Sequence, residues 1–144
     1  MSLEPITIIV RRRFTQSAER VFDAWLDPAK ARQFLFATET GVMVCAEIDA
    51  RVGGSFTFTD RRNGNDVAHF GHYFEIDRPR RLVFSVCVPE YSHEYDRVTI
   101  EIEALDSGCE LTLTHEMRPE WKDMIEGVTA GWTGILEGLA KAIA

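Results

Sequence analysis

"TAGWTGILEGLAKAIA" (Thr129–Ala144) is the stretch on which the fold turns. Trp132, Ile135, Leu136, Leu139 and Ile143 recur at helical spacing and make one apolar stripe. Trp121, Ile125 and Val128 continue the stripe upstream, behind Pro119, whose missing N–H costs little in a first turn. The pattern predicts a helix from Glu120 to Ala142, about 34 Å long. Gly127, Gly131, Gly134 and Gly138 border that stripe. Each interior glycine costs a helix roughly 0.8–1 kcal/mol relative to alanine. Missing side chains on one line leave room for a ligand beside the helix, which is the reading favoured. The alternative is close packing against a second subunit, that is, a homodimer.

Upstream, strand-like sequence supplies the surface this helix must cover. "ITIIVRRRF" (Ile6–Phe14) is a first strand. "SAERVFDAWLD" follows as a short helix with Val21, Phe22, Trp25 and Leu26 on one face and Ser17 as N-cap. Asp27-Pro28 ends it, and "AKARQFL" gives a second short helix. From Gly41 the texture changes to alternation, as a sheet with one buried face requires. The segments are "GVMVCAEID", "SFTFTD", "VAHFGHYFEI", "LVFSVCV", "DRVTIEIEA" and "CELTLTHE", joined by turn signals such as Asn63-Gly64. The order defines an α+β architecture with an antiparallel sheet of about seven strands. Twist makes such a sheet curl around its single long helix, and a cylinder in a curved trough leaves a cavity. One domain over residues 1–144 is expected.

Composition excludes several classes. The formal charge of −7 opposes nucleic-acid binding. The basic runs Arg11–Arg13 and Arg78–Arg81 read as solvated, salt-bridged strand ends. No apolar run approaches the ~18 residues of a membrane span. The N-terminal apolar patch has no basic segment before it and no cleavage-like site after it, and the three widely spaced cysteines read as free thiols. A cytoplasmic protein is therefore expected. His69 and His72 lie three apart, on opposite faces of a regular strand, and the cysteines lack zinc-like spacing. No metal and no cofactor are expected.

Strand parity selects the candidate cavity residues. Arg12 shares a face with Ile6, Ile8, Val10 and Phe14. Ala68, Phe70, His72, Phe74 and Ile76 align, as do Leu82, Phe84, Val86 and Val88. His115 lies with Leu111 and Leu113. Arg12, Phe34, Phe36, Phe56, Phe58, Phe70, His72, Phe84, His115, Val128 and Trp132 are the ligand-binding candidates, with Arg12 a possible carboxylate clamp. No nucleophile elbow or activated cysteine is present, so no catalytic residue is assigned. A cavity histidine such as His115, with Tyr73, Tyr91 or Tyr95 nearby, could still serve a cofactor-independent cyclisation, dehydration or hydration.

"RRF" (Arg12–Phe14), "ERVFDAWLDP" (Glu19–Pro28), "DARVGGSFTF" (Asp49–Phe58), "GHYFEIDRPRRLVFS" (Gly71–Ser85), "LTLTHE" (Leu111–Glu116) and "GWTGILEGLA" (Gly131–Ala140) carry a resemblance spanning nearly the whole chain. In that order they resemble the bacterial homologues of the activator of heat-shock protein 90 ATPase, within the START-like (SRPBCC) helix-grip superfamily. The family's tryptophan after the Asp-Pro helix is replaced here by Phe34-Leu35-Phe36, which alters the expected cavity mouth. The resemblance implies a helix-grip fold and a small protein that binds an apolar or aromatic molecule between sheet and final helix. It also implies, more weakly, a chaperone partner.

Overall fold

The computed structural model describes residues 4–144. Its elements are β1 (Ile6–Phe14), α1 (Ala18–Leu26), α2 (Pro28–Ala31), β2 (Val42–Ile48), β3 (Ser55–Arg62), β4 (Asn65–Asp77), β5 (Arg81–Val86), β6 (Asp96–Ala104) and β7 (Cys109–Met117). A 3-10 segment (Pro119–Met124) then leads into α3 (Ile125–Ala142). The strands form one antiparallel seven-stranded sheet in the order β1-β7-β6-β5-β4-β3-β2. β1 and β2 occupy opposite edges, so α1 and α2 carry the chain across the sheet. The sheet curves about α3, a helix-grip fold.

Local chemistry explains the starts and stops. The Ser17 hydroxyl accepts the Arg20 N–H, and the Asp27 carboxylate accepts the Ala29 N–H with Pro28 in the first turn. Trp132, Leu136 and Leu139 of α3, with Ile143 just after it, are buried in one cluster with Val98 and Ile100 of β6 and Leu111 and Leu113 of β7. Each such side chain contributes about 1.5–3 kcal/mol on leaving water. Four arginines of the basic runs are paired at the surface: Arg13 with Glu110, Arg78 with Asp23, Arg80 with Asp77, and Arg81 with Glu75 and Glu101. None of the three cysteines is in a disulfide. No helix among the described residues is long and apolar enough to cross a membrane.

Two expectations are corrected. The final helix is α-helical only from Ile125, about 27 Å for its 18 residues. Pro119–Met124 is 3-10, and Trp121 leaves helical geometry at φ −95°, ψ 19°. Arg118 supplies no capping side chain, so the N–H groups of the first turn have no side-chain acceptor. Ile125 is consequently exposed and Trp121 only half-buried.

The second correction concerns β4. Val67, His69 and Tyr73 are buried while Phe70, His72 and Phe74 are exposed, the reverse of the expected parity. Pairing with β5 shifts register between Tyr73 and Glu75, so Ile76 returns to the core side. Extrapolating inward from Ile76 across that bulge assigns every earlier residue to the wrong face.

A cleft between the final helix and the sheet

Between α3 and the sheet lies a cleft of about 600 Å³. Gly127, Val128, Gly131, Trp132 and Ile135 form its helix wall. His69, Val86, His115 and Met117 form its floor, and Phe36, Tyr91 and Trp121 stand among the residues of its rim. A Cβ added at Gly127 or Gly131 would meet no heavy atom within 4 Å. Gly134 is equally open but does not line the cleft. Gly138 behaves oppositely, since its Cβ would sit 3.0 Å from the Phe34 Cβ. The glycine line thus serves two purposes: vacancy at its start and close approach at its end.

Two polar clamps fix the walls. On one side Asp60, 1% exposed, accepts hydrogen bonds at Oδ2 from the Thr38 hydroxyl (2.7 Å) and Arg62 Nε (2.8 Å). Arg62 Nη2 donates to the Phe36 carbonyl (3.1 Å). Phe36 is held in the left-handed region at φ 59°, which costs a non-glycine residue about 1–2 kcal/mol. Its ring stacks on His69 at 4.4 Å and meets Trp132 edge-on at 5.8 Å. Burial, reinforced by the Arg62 charge, lowers the His69 pKa to about 4, so this imidazole is neutral near pH 7.

On the other side Trp132 Nε1 donates to His115 Nδ1 (2.8 Å), and His115 Nε2 lies 2.8 Å from Asp96 Oδ2. An indole N–H can only donate, so Nδ1 accepts and the imidazole proton sits on Nε2, donating to Asp96. His115 is therefore a neutral bridge with both nitrogens engaged. It orients Trp132 and presents no unoccupied nitrogen as a general base.

Of the sequence candidates, Phe36, His115, Val128 and Trp132 line the cleft. Phe34, Phe56, Phe58 and Phe84 are buried beneath it as core, Phe34 packed edge-on against Trp25 at 5.3 Å. Arg12 does face the covered side, half-buried. It is not among the cleft's lining residues: its guanidinium lies over the Phe14 ring at 5.8 Å and its buried Nε has no partner. Phe70 and His72 point away from the cleft, for the register reason given above. His69, Arg62 and Asp96 were missed. The first was legible: Asn63-Gly64 forms a two-residue turn with both φ positive (52° and 81°), which pairs Phe58 with His69 and Phe56 with Gly71. Cross-strand partners share a face, so inward Phe56 and Phe58 require inward His69 and Gly71. Gly71 is needed there because a Cβ would overlap the Phe56 ring and the Ser85 carbonyl.

A curved sheet gripping one helix above a side-opening cleft defines a START-like helix-grip protein. The chain belongs to the family described as activator of Hsp90 ATPase homolog 1-like protein, whose model matches residues 15–144. A crystal structure from Chromobacterium violaceum is similar at TM-score 0.85 and 26% identity, covering 95% of this chain and 96% of that one. A protein of unknown function from Staphylococcus aureus is similar at TM-score 0.86 and 16% identity, covering 99% and 95%. The AHSA1-like protein from Aeromonas hydrophila gives 0.79 and 20%, covering 96% and 92%. Among curated proteins none is significantly similar in sequence.

Proposed function

We propose that this protein binds an apolar or aromatic small molecule in the cleft between α3 and the sheet. The observation carrying the reading is open space at Gly127 and Gly131, inside a cleft of about 600 Å³. Ligand sites generally measure about 300–1,000 Å³, with mostly apolar walls and a few fixed polar groups. Val86, Val88, Met117, Val128, Trp132 and Ile135 supply the apolar surface here. The two clamps hold aromatic walls that would otherwise collapse into the vacancy. A helix weakened by glycine persists because filling those positions would fill the site.

The test is a thermal-shift and native mass-spectrometry screen against aromatic and aliphatic small molecules, flavonoids and polyketides included. A ligand at a hundred times its Kd stabilises by about 2.7 kcal/mol, a rise in Tm of about 5–10 °C for a chain of this length. Bound mass at one ligand per chain, lost in Gly131→Leu, is the expected result. A folded protein that retains no member of such a panel would overturn the reading.

A further inference from the structure

The charges around the cleft are unequally compensated, and this bears on what the cleft takes. Arg62 is the one Lys or Arg among its lining residues, and its charge is cancelled at contact distance by the buried Asp60 carboxylate (2.8 Å). Asp96 has no equivalent partner. Its hydrogen-bonded neighbour His115 is neutral, because Nδ1 is committed to accepting from Trp132. The Asp96 side chain is 24% exposed and lines the cleft, so a full negative charge is presented at a partly desolvated wall. Glu90 and Glu94 line the same side. Arg118 is the cation there; it pairs with both Glu94 (3.4 Å) and Glu120 and interacts more weakly with Asp96. Arg97 alternates to the opposite face of β6 and pairs with Glu116 (3.7 Å). The local field also registers on Cys87, whose thiol pKa is raised first by burial and then by Asp96 and Glu94.

Aromatic surface accompanies that charge. Trp132, Trp121 and Tyr91 line the cleft with Asp96. Faces of such rings attract cations, most strongly where water is thinned. We infer that the cleft selects organic cations, an aromatic or aliphatic amine whose ammonium faces Asp96 and whose apolar body lies along Trp132 and the Gly127–Gly131 vacancy, over carboxylates of the same shape. The inference rests on the cleft being a small-molecule site, and it assigns the charge class of the ligand. A carboxylate in that position would meet Asp96, Glu90 and Glu94, and the one Lys or Arg lining the cleft, Arg62, is already paired with Asp60. Opposite charges attract and like charges repel over the same few ångströms, so the two head groups should differ by at least about tenfold in affinity at low salt.

The experiment uses a matched series sharing one ring system: naphthylethylamine, naphthylethanol and naphthylacetate, titrated by calorimetry and tryptophan quenching at low and high salt. The expected order is amine tightest, alcohol intermediate and carboxylate weakest, with the spread shrinking as salt rises. Asp96→Asn keeps an acceptor for His115 Nε2–H, so the Trp132–His115 bond persists. It should bring the amine-to-alcohol ratio down to about two or less, while Glu94→Gln lowers the ratio by a smaller factor. Carboxylate binding at or above the amine, or an amine preference that survives Asp96→Asn, would overturn the charge assignment while alcohol binding leaves the cleft itself standing. Failure of all three molecules to bind would remove both readings together.

Discussion

Gly131→Leu, Gly134→Ala and Gly138→Ala test the cleft through three neighbouring positions on one helix. Interior glycine costs about 0.8–1 kcal/mol relative to a good helix former, and in a chain of this length each kcal/mol moves Tm by about 2–4 °C. A new Cβ at Gly131 or Gly134 meets nothing within 4 Å, so the first side-chain atom adds no clash to set against the helical gain. Both variants should therefore melt about 2–4 °C higher. They should part in binding, because Gly131 lines the cleft and Gly134 does not: the leucine occupies the vacancy and the alanine leaves it. Gly138→Ala should melt below the wild-type protein. Its Cβ would lie 3.0 Å from the Phe34 Cβ and 3.5 Å from the Phe34 Cα, and Phe34 is 2% exposed and locked against Trp25. Overpacking of that kind costs about 1–3 kcal/mol, more than the helix gains. Thermal melts with a ligand titration on the same preparations read all three. The reasoning fails if Gly131→Leu binds as the wild type does, or if Gly138→Ala is stabilised as much as Gly134→Ala.

Two further outcomes follow from the clamps. His69 is held neutral with a pKa of about 4 against 6.5 unfolded, so between those values the unfolded chain binds the extra proton. Its contribution is intact above pH 6.5 and is lost as pH falls toward 4, by about 3 kcal/mol. Urea titrations across that window should show the difference between wild type and His69→Gln shrinking with acidity; a pH-independent difference would contradict the assignment. Trp132→Phe leaves His115 Nδ1 without its donor, which should cost about 1–3 kcal/mol beyond the lost ring area. Chemical denaturation of Trp132→Phe beside Trp132→Phe/His115→Phe separates the two contributions, and a double variant no better than the single would refute the clamp.

The amino-acid sequence by itself determined the element order, the antiparallel sheet and the helix it must wrap. Those follow from periodicities that burial imposes locally: alternation from Val42 onward, and the Trp132–Leu136–Leu139–Ile143 stripe. It also marked Gly127 and Gly131, since glycine in a helix signals a missing side chain. Whether that absence meant space or contact was a tertiary matter, decided by Phe34 lying against Gly138 and nothing lying against Gly131. The face assignment of β4 needed the bulge beside β5, because one extra residue inverts every side chain before it. The Asp96–His115–Trp132 chain joins three elements, and the charge on Asp96 is left uncompensated by His115 because the indole donates to a ring nitrogen and keeps the imidazole neutral. Sequence spacing carries no information about such meetings; only the curl of the sheet around α3 brings them about.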